Sequence, residues 1–189
     1  MGDFEQRVLR LFEQIHPLDR IDRAGYVLRG VVGPESVAAH SHFVSLLTLL
    51  FVDRYPEQFD RERALTMALI HDLPEAALMD IPMPATDAHL KDAKNAAERA
   101  VLGQLLGGFP EAYRELFEDL QNLRSIESRL VRGLDKAQMM IKIVMYQKEG
   151  RGRLEEFWSN PKNFADYGVS AVSDLFDAIC AWAGKPRPV

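Results

Sequence analysis

Residues 64–75 read ALTMALIHDLPE, and this stretch decides the fold that we expect. Its first seven residues are almost wholly apolar and predict a buried helix, so His71 and Asp72 enter a poorly hydrated environment. Burying an ionised carboxylate is costly unless a partner offsets the cost, and a metal ion is one such partner. Glu75 lies one helical turn beyond the pair and faces the same way. The stretch therefore predicts two metal ligands beside a candidate general base.

The same stretch has a plainer interpretation. A buried histidine can simply be hydrogen-bonded to a neighbouring carboxylate, and a His-Asp pair often arises by chance. Pro74 favours a functional site, because it cannot donate a backbone N–H and so predicts a kink or a shortened turn where the polar groups project.

The segment GPESVAAHSH at residues 33–42 indicates the start of another helix, with proline, glutamate and serine near its positive end. The inward stripe of this helix, with spacings of 3, 4, 3 and 4, consists of Val37, His40, Val44, Leu47 and Phe51. His42 lies about 200° round the helix from His40, so the two histidines cannot bind one ion from here. We expect His40 to be the ligand and His42 to be a supporting, rim or surface residue.

A third segment, residues 125–141, reads SIESRLVRGLDKAQMMI and predicts a helix capped by Ser125. Its buried face is marked by Leu130, Leu134, Ile141 and Met145. Asp135 adjoins that face. The carboxylate is a further candidate ligand, or else a solvated group paired with Lys136 or Arg132.

Six segments together resemble a known family, the small HD-domain phosphohydrolases, and most closely their 5'-deoxyribonucleotidase group. The segments are RAGYVLRG at 23–30, PESVAAHS at 34–41, ALIHDLPE at 68–75, DIP at 80–82, LDKA at 134–137 and GRLEEFW at 152–158. They occur in the family's order and span most of the chain. The resemblance implies an all-α HD-domain helical bundle.

The resemblance also implies a divalent metal site and two catalytic carboxylates. The ligands would be His40, His71, Asp72 and Asp135, and the carboxylates would be Glu75 and Asp80. One ion of Mn, Co, Fe, Ni, Zn or Mg suits such a mixed set, and the ligand count does not choose among them. A bound ion would provide a hydroxide-like nucleophile near neutral pH. Which carboxylate acts as base and which as acid depends on distances.

Substrate contacts are expected from Arg23, Tyr26 and Arg29, in the segment that the family places near its nucleotide pocket. An arginine fork suits a phosphate monoester, and an aromatic ring can stack on a base or press against a sugar. A surface loop with solvated arginines is the alternative. The family usually has tryptophan where this chain has Tyr26, glycine at Met79 and often threonine at Met83, and these departures bear on the sugar and base preference more than on the metal site.

Composition agrees with one enzyme domain over residues 1–189, with the metal site within about 36–140 and a C-terminal helix at about 166–183 packing on it. The chain has 47% hydrophobic residues and no low-complexity linker. Helical periodicity recurs along it, and no convincing strand pattern appears. A net charge of -5 argues against a nucleic-acid polymer as partner. With Cys180 alone and no apolar run long enough for a membrane span, we expect a cytoplasmic protein.

We therefore expect a metal-dependent 5'-deoxynucleotidase acting on a small-molecule nucleotide. The enzyme alternatives are hydrolysis of a cyclic dinucleotide, a nucleoside triphosphate or an alarmone. The alternative from another class is a catalytically silent nucleotide-binding regulator, against which the presence of both Glu75 and Asp80 argues. The resemblance further implies a homodimer or a higher homo-oligomer.

Overall fold

The computed structural model describes residues 2–83 and 89–188, and its regular structure is helical, as the sequence predicts. The α-helices are α1 Asp3–Ile15, α2 Ala24–Val27, α3 Val37–Arg54, α4 Arg61–Ile70, α5 Glu75–Leu78, α6 Lys91–Leu105, α7 Ala112–Asn122, α8 Ile126–Lys148, α9 Glu155–Ser159 and α10 Ser170–Ala183. Short 3-10 helices lie at His16–Asp19 and Pro161–Phe164. Within the described ranges the extended pairing is limited to an isolated bridge between Asp22 and Ser36.

The helices that carry the candidate ligands begin or end where local chemistry dictates. The Ser36 side chain accepts a hydrogen bond from the Ala39 N–H at 3.2 Å, and α3 begins at the next residue. The predicted Ser125 cap is confirmed, because its hydroxyl accepts from the Ser128 N–H at 3.1 Å. These caps satisfy N–H groups that lack intrahelical partners.

Helix α8 is the centre of the bundle and packs against α3, α4, α7 and α10. Four of its large apolar side chains are fully buried: Leu130, Leu134, Met140 and Ile143. Burying each one contributes about 1.5–3 kcal/mol. Burial of this apolar face holds α8 in position, and α8 in turn positions the side chains that it carries.

The inward stripe of α3 follows the prediction through Val37, His40 and Val44 and then turns. Further along, Thr48 and Val52 are the buried residues, whereas Leu47 and Phe51 are only partly buried. His40 lies in the well-predicted first half.

The C-terminal helix begins at Ser170, four residues later than the predicted 166. A turn precedes it, in which Tyr167 and Gly168 have φ of 51° and 76° and the Asp166 side chain accepts from the Gly168 N–H. Positive φ is incompatible with continuing a helix, so the turn sets the start of α10.

Among the described helices, none is both long and apolar enough to cross a membrane.

A close approach between α8 and α10 yields a stability prediction. A Cβ built on Gly133 would lie 2.8 Å from Cγ1 of the buried Val172. We expect Gly133→Ala to lower the free energy of unfolding by about 1–3 kcal/mol, because overpacking outweighs the better helix propensity of alanine. Urea denaturation followed by circular dichroism measures the change.

Gly103→Ala is the matched control, because the same substitution in α6 meets nothing within 4 Å. It should leave the stability unchanged or raise it by up to about 1 kcal/mol. Equal effects of the two substitutions would contradict close packing at Gly133.

Candidate metal centre

The candidate ligands come from three parts of the chain that the fold brings together. His40 lies in the first turns of α3, and Asp135 lies in the middle of α8. His71 and Asp72 occupy the turn between α4 and α5, where Pro74 starts the short second helix. The predicted shortening of the helix at Pro74 is confirmed. The turn directs both side chains away from the α4 axis.

The side-chain atoms of these residues lie close together. His40 Nε2 is 3.1 Å from Asp135 Oδ1 and 3.6 Å from Asp72 Oδ2, and His71 Nε2 is 3.2 Å from the same Asp72 oxygen. One ligand atom from each of His40, His71 and Asp72 lies within 4.8 Å of the others. Both histidine side chains are fully buried, and both aspartates are nearly so.

The donor set fits a divalent ion. His40 Nε2, His71 Nε2 and Asp72 Oδ2 are buried atoms that find no hydrogen-bond partner among residues 2–83 and 89–188. Leaving such atoms unsatisfied costs about 1–3 kcal/mol each. Two imidazole nitrogens and a carboxylate oxygen are donors of the kind that divalent transition metals bind. The unsatisfied buried atoms are the observation that favours a metal site here.

The far nitrogens of the two histidines are held by hydrogen bonds. His71 Nδ1 lies 2.7 Å from the backbone carbonyl oxygen of Ala68, and His40 Nδ1 lies 2.7 Å from Gln138 Oε1. Both rings therefore turn Nε2 toward the cluster. Such support is typical of histidines that bind metals.

The charges within the cluster shift its protonation equilibria. Burial alone would raise the pKa of Asp72, but the charges of His71, His40 and Arg23 outweigh it and hold that pKa well below its ordinary value. Burial likewise opposes charging of His71, yet the neighbouring Asp72 and Asp135 raise the pKa of its imidazole. The pKa of Asp135 is also held well below its ordinary value despite its burial, so the site favours ionised aspartates, the form that binds cations. The raised pKa of His71 favours its protonated form, so a metal ion would have to displace that proton to bind Nε2.

Glu75 and Asp80 both lie near Arg23, beside the cluster. Arg23 Nη1 is 3.6 Å from Asp72, 4.0 Å from Glu75 and 3.7 Å from Asp80. The Ala24 N–H donates to Asp80 Oδ2 at 2.8 Å. Burial, followed by the charges of Asp72 and Asp80, raises the pKa of Glu75 to about 10. The protonation state of Glu75 therefore depends on the charge placed next to it, which makes Glu75 a candidate for proton transfer.

Lys94 in α6 is a neighbour that the sequence reasoning missed. Its Nζ lies 2.9 Å from Glu98 Oε1 and 3.9 Å from Glu75 Oε1, and its side chain is 18% exposed. Lys94 and Glu98 are four residues apart, a spacing that predicts an ion pair between them but no contact with Glu75. The contact with Glu75 depends on how α5 and α6 pack.

The other predicted substrate residues have different surroundings. Tyr26 is buried, packs against Tyr146 and Phe157, and donates its hydroxyl to the Met139 carbonyl oxygen at 3.2 Å. Arg29 donates from Nε and Nη2 to the carboxylate of Glu156. The structure thus brings Arg23 to the cluster, while Tyr26 and Arg29 contact other partners. His42 is exposed.

Met79, next to Asp80, has a backbone conformation that favours glycine. Its φ is 66° and its ψ is 167°, a region that residues with a Cβ rarely adopt. The Met79 N–H donates to the Glu75 carbonyl oxygen at 2.9 Å, which closes α5. This is the position at which the resembling family usually has glycine. The strained turn delivers Asp80 to Arg23.

The comparisons with known proteins identify the family of this chain. The chain belongs to the HD domain family, whose model matches residues 15–170. The human protein 5'-deoxynucleotidase HDDC2 is 28% identical over 182 residues, which cover 92% of this chain and 87% of the relative. The Danio rerio protein of the same name is 32% identical, covering 80% and 76%. A solved structure of a conserved hypothetical protein from Pyrococcus furiosus is 32% identical, covers 92% of this chain and 99% of that one, and has a TM-score of 0.79.

The strain at Met79 can be measured. Met79→Gly should raise the free energy of unfolding by about 1 kcal/mol, because relief of about 1–3 kcal/mol of strain exceeds the entropic cost of glycine. The Met79 side chain is 57% exposed, so little buried contact is lost. Chemical denaturation provides the readout.

Met79→Ala is the control, since alanine keeps the Cβ that causes the strain. It should show no comparable gain. Equal stability of the glycine and alanine variants would contradict strain at this position.

Proposed function

We propose that this protein is a metal-dependent phosphohydrolase that releases phosphate from deoxyribonucleoside 5'-monophosphates. The observation that carries the proposal is the buried group of His40, His71 and Asp72, whose inward atoms lack hydrogen-bond partners in the described chain, with Asp135 Oδ1 lying 3.1 Å from His40 Nε2. Membership of the HD domain family and relatives named 5'-deoxynucleotidase support the same activity.

The four grouped residues would hold one divalent ion. Two imidazole nitrogens and two carboxylates suit Mn, Co, Fe, Ni, Zn or Mg to differing degrees. When bound, such an ion lowers the pKa of its water and polarises a phosphoryl oxygen.

Glu75 would orient the attacking water and take its proton once a bound cation offsets the burial and the charges of Asp72 and Asp80 that raise its pKa and keep it protonated. Its carboxylate is buried, lies beside Asp72 across Arg23, and has an oxygen, Oε2, that finds no hydrogen-bond partner in residues 2–83 and 89–188. A carboxylate in this position can hold a proton at Oε2 and return it later. Asp80, fixed by the Ala24 N–H and by Arg23, is the second acidic group and would serve the leaving oxygen or position the substrate.

Arg23 would allow the site to bind a phosphate monoester. Four carboxylates surround the place where the phosphate must bind, and they repel an anion unless cations offset them. Arg23 lies within 4.0 Å of three of them, and Lys94 approaches Glu75 from α6. We propose Arg23 as the phosphate contact, with Lys94 reducing the local negative charge.

Tyr26 and Arg29 would act on the substrate less directly. The buried Tyr26 ring supports the segment that leads from Arg23, and Arg29 would meet a nucleotide only by leaving Glu156.

A homodimer or a higher homo-oligomer is also proposed. Helix α3 exposes three large apolar side chains, Phe43, Leu46 and Leu50, at helical spacing. Such a stripe is a candidate contact between copies.

The activity is tested by phosphate release. Chelator-treated protein, reloaded separately with Mn, Co, Mg or Zn, is assayed on deoxyribonucleoside and ribonucleoside 5'-monophosphates. We expect metal-restored release that favours the deoxy substrates. No release from any monophosphate would contradict the proposal, and release of pyrophosphate, triphosphate or a linear dinucleotide from other nucleotides would redirect it.

Variants separate metal binding from proton transfer. His71→Ala or Asp72→Ala should abolish both metal binding and turnover, whereas Glu75→Gln should keep the metal and lower kcat by about 100-fold or more. Bound metal is measured by elemental analysis and kcat by phosphate release.

His42→Ala is the matched control, because this histidine is exposed on the same helix as His40. It should behave as the unchanged protein does. Full turnover by the Glu75 variant would remove Glu75 from the mechanism.

A further inference from the structure

A chain of buried polar groups lies behind His40, on the side away from the metal cluster. It runs from His40 Nδ1 to Gln138 and from Gln138 to Glu35. We propose that Gln138 and Glu35 are positioning residues that fix the tautomer of His40, so that its Nε2 presents a lone pair to the ion. The proposal rests on the metal site described above and assigns a role to two residues outside it.

The direction of each hydrogen bond follows from what the groups can donate. A carboxylate has only acceptors, so the Gln138 group that faces Glu35 must be its NH₂, and its Nε2 lies 3.0 and 3.3 Å from the two Glu35 oxygens. The other end of the amide, Oε1, then faces His40 Nδ1 at 2.7 Å. Because an amide oxygen only accepts, Nδ1 must carry the hydrogen. The neutral ring then leaves Nε2 free to bind a metal.

Burial makes this order obligatory. His40, Gln138 and Glu35 are 0%, 3% and 8% exposed, so bulk water cannot satisfy an inverted amide. In the inverted arrangement Gln138 would turn its oxygen toward the carboxylate and its NH₂ toward His40. The ring would then have to accept at Nδ1 and carry its hydrogen on Nε2, where the ion binds.

Glu35 is itself held in place. Its Oε2 lies 3.7 Å from Lys142 Nζ, and its backbone N–H donates to the Tyr146 hydroxyl at 2.8 Å. Both partners belong to α8, as does Gln138, which follows Asp135 by one helical turn. Helix α8 therefore supplies one metal ligand and also the groups that support another.

The tautomer of His71 is fixed by a different kind of hydrogen-bond partner. Its Nδ1 lies 2.7 Å from the Ala68 carbonyl oxygen, and a backbone carbonyl cannot be inverted as an amide side chain can. The tautomer of His71 is thus independent of Glu35. This difference makes His71 an internal standard for any change at His40.

The test uses Glu35→Gln, which keeps the size of the side chain but adds a donor. Both side-chain amides can then rotate by about 180° together, which exchanges their donor and acceptor ends. We therefore expect the second His40 tautomer to appear and zinc affinity to fall about 10-fold or more. Chelator competition measures the zinc affinity. Nitrogen-15 NMR of the histidine rings, on chelator-treated protein at a pH well above the ordinary imidazole pKa, reports both tautomers.

Two further variants make the result specific. Glu127→Gln is the matched control: Glu127 is a buried α8 glutamate that accepts from the Asp60 N–H, and its replacement should change neither zinc affinity nor the His40 signals. The exchange variant Glu35→Gln with Gln138→Glu places a carboxylate directly against Nδ1 and should restore both the tautomer and most of the zinc affinity.

An unchanged His40 tautomer together with unchanged zinc affinity in Glu35→Gln would overturn the proposal. A change in the His71 signals of similar size would also overturn it, because it would indicate general disruption. If the unaltered protein binds no zinc or other divalent ion, the proposed function fails, and the His40 spectrum alone decides whether Gln138 and Glu35 set the tautomer.

Discussion

The structure depends on one constraint, the burial of the candidate metal ligands where three parts of the chain meet. Two of these ligands are carboxylates of like charge, and several of the ligands' inward atoms have no hydrogen-bond partner in the described chain. Asp72 and Asp135 approach His40 and His71, whose side chains are fully buried, and three of the inward atoms lack hydrogen-bond partners in the described chain. Desolvation on this scale is tolerated when a cation completes the group. The bundle is thus arranged around a positive charge that its own side chains do not supply in full.

Helix α8 connects that junction to the core. Its apolar face is buried against four helices, and Gly133 lets α10 approach closely beside it. Two residues later Asp135 enters the cluster, and one turn further Gln138 reaches His40. The position of two ligands is therefore tied to the best-packed helix of the molecule. Precise placement of this kind is what a metal site requires.

Local patterns were enough to predict much of the fold and the order of the candidate ligands. Ser125 caps its helix as expected, Pro74 interrupts the helix at the His-Asp pair, and the apolar stripe of α3 correctly turns His40 inward. Each of these features depends on residues within one or two helical turns. The start of α10 was placed too early because a turn at Tyr167 and Gly168 leaves little signal in composition.

Features that depend on tertiary packing could not be predicted. Glu35 and Gln138 are 103 positions apart, and the approach of Lys94 to Glu75 needs α5 and α6 in contact. The burial of Tyr26 could not be predicted either, since an aromatic residue in a short segment suits a core as well as a binding surface. Resemblance to the HD-domain family could indicate ligands by type and order, but the groups that orient them emerged only from the packed structure.

The most direct test of the central claim is an anomalous difference map from crystals grown with Mn²⁺, collected where manganese scatters anomalously. The account predicts one strong peak within bonding distance of His40 Nε2, His71 Nε2 and the carboxylates of Asp72 and Asp135. A map in which manganese binds elsewhere and leaves these four side chains without an ion would contradict it.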